Sequence, residues 1–416
     1  MRELARTTKA SYAVLAAVTM AHFLNHVYTG ALSPFLPLIQ IDLSLNYTQV
    51  GIITSAVVIA MTISHLVVGY LGDRGSRWRD MFIASSILMS AVSMILVSYS
   101  SAFLILALFQ FVLGVSASGY HPSVFPALAE KFPQRDLAKA TGIQAMGGLI
   151  GMAMIPFLGV TLLVWLGGWR PSLIALGVMG LIIFIPFIIL MRYSSSGYAK
   201  GFIDKEEECE GAEGWTKGYW LGLVLMGLRG MSFRCTSLLM PLYLEATYPV
   251  DLIQAGYLTT IMLTAGLVGE IVAGYLSDKL NKRVVFLVLS TGAATPALLL
   301  LNYSLTLGYL IVMLIIIGFF FYLGVPANTA YLTEVSPREN RGLAFGLLFS
   351  VGALPGAISP IIFGWIGDQW GLQASILFLV VTTILATLVA LLMKDQGTRA
   401  SVSELTVYMD SPASLD

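Results

Sequence analysis

The chain has 416 residues, a formal net charge of zero, 57% hydrophobic residues and only 11% charged ones. Soluble globular chains carry about 25% charged residues, so this one is expected to take the lipid bilayer as its solvent. No basic stripe suits a nucleic acid, and no nucleophile–base pair, phosphate loop or cofactor motif marks an enzyme. The only cysteines, Cys209 and Cys235, lie in a polar stretch and an apolar run, and no Cys/His spacing predicts a metal site.

A membrane helix needs about 20 mostly apolar residues. Twelve such runs follow in chain order: 12–39, 47–71, 80–99, 102–129, 138–166, 169–192, 217–244, 252–277, 283–302, 305–333, 341–366 and 370–393. The expected fold is an all-α polytopic membrane protein, with twelve transmembrane helices in two pseudo-symmetric six-helix bundles. The N-terminal bundle covers 1–194 and the C-terminal bundle 217–393. Between them runs an acidic linker, 195–216, which reads as a solvated segment. A polar tail, 394–416, follows the last run. The first run is preceded by Arg2, Arg6 and Lys9 in the manner of a signal peptide, but it is too long for one.

Lysines and arginines collect at one end of these helices. Arg74, Arg77, Arg79, Lys131, Arg135, Lys139, Lys279, Lys282, Arg283, Arg338 and Arg341 all lie in loops of that end, whereas the opposite end has only Arg170. The positive-inside rule then puts the basic end, both termini and the linker in the cytoplasm of a cell (inner) membrane.

The two halves are copies of one unit. Gly69-Tyr-Leu-Gly-Asp73-Arg74 returns 205 positions on as Gly274-Tyr-Leu-Ser-Asp278-Lys279, and Gln49-Val-Gly51 returns as Gln254-Ala-Gly256. Gly147, Gly151 and Gly159 return at the same offset as Gly352, Gly356 and Gly364. Six helices per copy keep both copies in one orientation. The repeats are therefore parallel, with a cavity expected between them near the midplane.

On these residues the chain resembles the major facilitator superfamily over about 12–393. The family loop between helices two and three has the form G-x-L-x-D-R/K-x-G-R/K-R/K. The first copy reads Gly69, Leu71, Asp73, Arg74, then Gly75 one place early; the second has Asn281 where the glycine is expected. An anion at a helix C-terminus is disfavoured by the macrodipole, so Asp73 and Asp278 need partners elsewhere. The resemblance implies that Gly69, Asp73, Arg74, Gly274, Asp278 and Lys279 form a conformational latch. Asp73 would face the start of run eleven, near Arg338 to Gly342, and Asp278 the start of run five, near Arg135 to Lys139. The alternative is a plain loop salt bridge of small worth. The glycines and prolines of runs five and eleven leave two readings open, an antiporter motif and tight helix packing. Within the superfamily, His22-Phe23, Asn25-His26, Gly30 and Pro37, with Gly119-Tyr120-His121-Pro122 and Gly147-Gly148, resemble fosmidomycin-resistance-type efflux proteins. The arginine of many proton-coupled members, four residues before a helix-four glycine, is Gln110 here, before Gly114.

Ionisable groups at membrane depth are costly and mark function. The candidates for substrate binding are His22, Asn25, His26, Arg229 and Arg234, with Asn25 and His26 expected to look across at Arg229. Glu270, whose repeat counterpart is His65, is the candidate proton carrier; a fixed ion pair with Arg229 or Arg234 is the competing reading. His121, before Pro122, is expected to fix a helix break. Two arginines against one acid point to an anionic substrate group. The expected function is alternating-access transport of a small organic solute by a monomer, without cofactor or metal. Proton-coupled efflux of a drug-like or anionic compound leads, with uptake of an organic anion such as a carboxylate as the alternative. A non-transporting receptor is a third reading, disfavoured because linker and tail are too short for an extra domain.

Overall fold

The computed structural model describes residues 9–195, 212–303, 306–337, 339 and 341–395. In the N-terminal half α1 (Lys9–Gly30) and α2 (Leu36–Asp42) are joined by a 3-10 turn, Ser33–Phe35, and α3 (Tyr47–Gly72) and α4 (Ser76–Ser98) follow. Next come α5 (Phe103–Ala117), α6 (His121–Lys131), α7 (Gln134–Leu166) and α8 (Trp169–Ser195). The C-terminal half holds α9 (Lys217–Thr247), α10 (Leu252–Leu280), α11 (Val284–Gly292), α12 (Ala294–Leu301), α13 (Leu307–Val335), α14 (Arg341–Leu347), α15 (Leu354–Trp370) and α16 (Leu372–Leu391). No strand occurs among the described residues.

Twelve membrane-crossing helices result, four of them assembled from two pieces. The first run divides into α1 and α2, where Pro34 and Pro37 remove backbone donors. The fourth breaks between α5 and α6 beside Pro122, as expected from His121-Pro122. The ninth divides into α11 and α12. The eleventh passes through a π-turn, Leu348–Gly352, ahead of Pro355. Most of the linker and tail, Cys209 and Arg338 lie outside the described residues, as do the side chains of Arg135 and Arg341.

The repeated sequence has structural causes. Gln49 and Gln254 each complete a capping box, with Asn46 at the start of α3 and Asp251 at the start of α10. One turn further on, Gly51 and Gly256 lie against the other half. A Cβ on Gly51 would come within 2.1 Å of the Pro360 carbonyl oxygen, and one on Gly256 within 2.2 Å of Val160 Cγ2. The recurring Gln-x-Gly is thus a helix start followed by a contact between halves. Gly364 adds to the same seal, since its Cβ would meet the Tyr47 carbonyl oxygen at 2.0 Å. Asp368 completes it from α15, accepting from the Tyr47 and Thr48 amides at 2.8 Å each and from the Thr48 hydroxyl at 2.5 Å. Ser33 Oγ donates across the halves to the Leu238 carbonyl at 2.7 Å. The halves therefore close on one another at the end opposite the basic loops.

Gly147 and Gly151 pack α7 on α1, where added Cβ atoms would strike the Thr19 and Phe23 carbonyls at 2.4 Å each. Gly352 and Gly356 pack the eleventh span on α9. The glycine spacing of runs five and eleven is accounted for by close helix packing within each half.

At the basic end neither Gly69 nor Gly274 lies close against a neighbour. A Cβ on Gly69 would only touch Pro122 at 4.0 Å, and one on Gly274 would meet nothing. Arg74 turns back onto the ring of Tyr70 and Lys279 onto that of Tyr275, at 5.1 and 5.7 Å. Asp73 is the exposed C-cap of α3. Asp278 pairs with Arg283 of its own half at 2.5 Å rather than with the start of run five. Arg283 also bonds Glu334 at 3.0 Å, and the repeat-equivalent Arg79 pairs with Glu130. Burial lowers the proton affinity of the Arg283 guanidinium, but the bonds to Glu334 and Asp278 outweigh it and hold the group above its ordinary range. Asn281 supplies the left-handed C-cap of α10, at φ 49°, which explains how asparagine replaces the family's glycine there.

Candidate functional site

The chain's four histidines are 22, 26, 65 and 121, and the fold brings all four together. His22 and His26 lie one turn apart on α1, with ring centroids 4.8 Å apart. His121 starts α6 and sits 5.2 Å from His22 and 5.8 Å from both His26 and His65. The break between α5 and α6 is what delivers His121 to this point. Sequence spacing did not show the cluster because its histidines come from three separate elements, α1, α3 and α6.

His22 is the most fixed of the four. Its ring stacks on Tyr120 at 4.9 Å, and its Nδ1 lies 2.9 Å from the Gln144 carbonyl oxygen. Gln144 Nε2 donates to Tyr120 Oη at 2.6 Å, and that hydroxyl donates to the Val18 carbonyl at 2.8 Å. Gln144 Nε2 also lies 2.9 Å from Nδ1, so Gln144 can serve either tautomer; with Nδ1–H on the carbonyl oxygen, Nε2 carries the lone pair. Nε2 is buried and has no hydrogen-bond partner. Gly148 makes room for the ring, since a Cβ there would come within 2.5 Å of it.

Arg234 faces this cluster from the other half, within electrostatic reach of His26 and His121. Tyr322 sits beside it and beside Arg229 and Glu270, and bridges the halves through a 2.7 Å contact from its hydroxyl to Met152 Sδ.

Asn25 and Arg229 each bond within their own half. Asn25 Nδ2 donates to the Ala117 carbonyl at 2.8 Å, and Arg229 Nη2 to the Phe321 carbonyl at 2.6 Å. Donors and acceptors are both related by the 204-residue offset, so this is one helix-to-helix bond made twice. Both side chains are buried, and Arg229 also lies 5.6 Å from the ring of Phe233. Asn25 therefore does not look across at Arg229; each ties its own half together. Glu270 lies near Arg229 but forms no ion pair with it or with Arg234 among the described residues, and its Oε2 is buried without a partner. Arg229 stood out in the sequence as an ionisable group at membrane depth, and the type of bond it has in common with Asn25 is a packing contact. The missed groups, Gln144 and Tyr322, carry no sequence signal beyond being polar in apolar runs, while His65 and Tyr120 stood out only as a repeat counterpart and as part of a family likeness.

The model of the Major Facilitator Superfamily matches residues 18–228 and 222–407. A probable sulfoacetate transporter of Cupriavidus necator is 25% identical over 386 residues, covering 87% of this chain and 89% of that protein. The fosmidomycin resistance protein of Escherichia coli is 24% identical over 378 residues, covering 86% and 88%. The cis,cis-muconate transport protein of Acinetobacter baylyi is 23% identical over 358 residues, covering 79% and 81%. Among solved structures, a bacterial homologue of the human lysosomal transporter Spinster, inward-facing and occupied, superposes with a TM-score of 0.80 at 17% identity. That match covers 93% of this chain and 97% of the other, and supports the fold of two six-helix halves. With both halves matched in sequence, the chain belongs to the major facilitator superfamily of multi-pass membrane transporters for small organic solutes.

Proposed function

We propose that the chain carries a small organic anion through a cell membrane by alternating access, coupled to protons, with the basic end in the cytoplasm. The observation that carries this reading is Arg234. It faces the central histidine cluster from the other half without an acidic partner among the described ion pairs. A guanidinium at membrane depth is costly unless something neutralises it, and a carboxylate or sulfonate fits its planar fork. Relatives named for sulfoacetate and cis,cis-muconate carry such groups. Arg234 is thus the anion anchor, in place of Arg229. Glu270 is the proton carrier, since its unpartnered oxygen leaves the acid free to bind and release a proton beside Arg229. The seal opposite the basic loops corresponds to the state open toward the cytoplasm. Asp73 and Asp278 would meet the opposite half when that end closes.

Thermal unfolding of the purified protein against a panel of organic anions and cations tests this. A ligand that binds only the folded state stabilises it by about 2.7 kcal/mol at a hundredfold excess over Kd. Anions should raise the Tm of the wild type and not of Arg234→Ala. Stabilisation by hydrophobic cations alone would make the arginines structural and defeat the anion reading.

A further inference from the structure

We infer that His22, His26 and His121 form a binding site for a divalent first-row transition metal ion such as Zn2+, with an open coordination position facing Arg234. One ring nitrogen from each histidine lies within 4.8 Å of the other two. Tetrahedral zinc with bonds of about 2.0–2.1 Å needs nitrogens about 3.3 Å apart. Closing to that distance asks the His26 and His121 rings to turn toward the held ring of His22.

Three further observations point to a metal rather than to three packed rings. First, His22 has its Nδ1 engaged by Gln144, through the backbone carbonyl oxygen or the side-chain Nε2, and its Nε2 buried without a partner. Metal-bound histidines are held as in the tautomer that donates Nδ1–H to that carbonyl, which leaves Nε2 basic. Second, the bonds from Gln144 to Tyr120 and on to Val18 fix the orientation of that ring. Third, Gly148 leaves the space the ring occupies, where any Cβ would clash at 2.5 Å. Neutral imidazoles are the preferred donors for zinc, nickel and copper.

Arg234 opposes a bare cation nearby, so three neutral histidines do not by themselves make a comfortable site. An anion on the fourth position resolves this. A carboxylate oxygen bound to the metal would present its second oxygen to Arg234, placing a negative group between the two positive ones. This part rests on the anion-carrier reading; binding of the metal by the histidines does not. His65 touches His121 but lies outside the three-nitrogen set, and it serves to orient that ring.

The test uses full-length protein from which the affinity tag has been cleaved, purified with a chelator and then dialysed. Zn2+ is titrated against a chromophoric chelator, and Co2+ is titrated while its visible absorption is recorded. The expected result is one equivalent bound with micromolar affinity or better, together with the intense Co2+ bands of four- or five-coordinate nitrogen ligation. His26→Ala and His121→Ala should each weaken binding by about tenfold or more, and His65→Ala by less than about threefold. Absence of Zn2+ binding at millimolar metal, a weak octahedral Co2+ spectrum in the wild type, or equal affinity in the triple alanine variant would overturn the site. The wild-type spectrum decides even if the variants do not fold. Anion stabilisation that depends on Arg234 in metal-free protein would leave the carrier reading standing while the metal site falls.

Discussion

Asp368 sits on one half and caps a helix of the other, which makes it the most direct handle on the closed end. Its two carboxylate oxygens satisfy the first two amides of α3, while Asn46 of the same half satisfies the Gln49 amide. Asp368→Ala removes three hydrogen bonds that exist only when this end is shut. A cap is worth about 0.5–2 kcal/mol, and an anion at a helix N-terminus about 0.3–1 kcal/mol. Asp368 is exposed, so water replaces part of the loss and a net cost of about 1.5 kcal/mol is reasonable. That shifts the balance between closed and open states about tenfold. Spin labels can report it directly: Ile41 and Ile253 belong to different halves and line the same cleft at this end. In a Cys209→Ser, Cys235→Ala background carrying cysteines at those two sites, the ratio of the longer to the shorter pulsed-EPR distance population should rise about tenfold on Asp368→Ala. Asp368→Asn should give a smaller rise, since one acceptor oxygen survives. An unchanged distance distribution in both variants would refute the claim that this carboxylate holds the halves together.

Other substitutions follow from the same geometry. Gly364→Ala drives a methyl group against the Tyr47 carbonyl, 2.0 Å away, which only separation of the halves relieves. Overpacking costs about 1–3 kcal/mol, so transport should drop about tenfold while membrane insertion stays normal; full transport activity would contradict the seal. Asn25→Ala loses an interhelical bond worth about 0.6–2 kcal/mol in a membrane. It should lower the Tm by a few degrees and leave anion affinity within about twofold, whereas a loss of affinity without a loss of stability would return Asn25 to the substrate site. Glu270→Gln should abolish substrate-driven proton movement and keep substrate binding; persisting acidification in vesicles would remove Glu270 from the coupling path. Asp73→Asn and Asp278→Asn should each slow transport with normal insertion, and undiminished flux in both would defeat the latch.

Much of the fold was legible because its causes are local and repeated. Apolar length located the spans, and the single offset of about 205 residues divided them into halves. The recurring Gln-x-Gly and the glycines of runs five and eleven were visible as a pattern. For two of them the cause lies across the interface between halves, since Gly51 needs Pro360 and Gly364 needs Tyr47. No periodicity within one helix contains that information. Asp368 had no sequence signal at all, since position 163, its repeat equivalent, is a leucine. The latch residues were suggested by family likeness alone, and Asp278 is seen with Arg283 of its own half.

The duplication sorts the candidate residues by the contacts they make. In a duplicated protein, a polar position preserved in both copies answers a need common to both halves, which is packing. Asn25 and Arg229 make the same bond to equivalent carbonyls, and Arg79 and Arg283 make equivalent ion pairs. Chemistry specific to one substrate belongs where the copies differ, because a substrate without two-fold symmetry presents a different group to each half. His22, His26 and His121 correspond to Met226, Gly230 and Val325, and Arg234 corresponds to Gly30. His65 corresponds to Glu270, a basic side chain against an acidic one. The N-terminal half thus contributes imidazoles, and the C-terminal half contributes a guanidinium and a carboxyl group. Such a division suits a solute with a metal-binding or hydrogen-bonding head on one side and an anionic group on the other. Exchanging the divergent residues between halves should therefore change substrate selection, while exchanging the shared ones should change only stability.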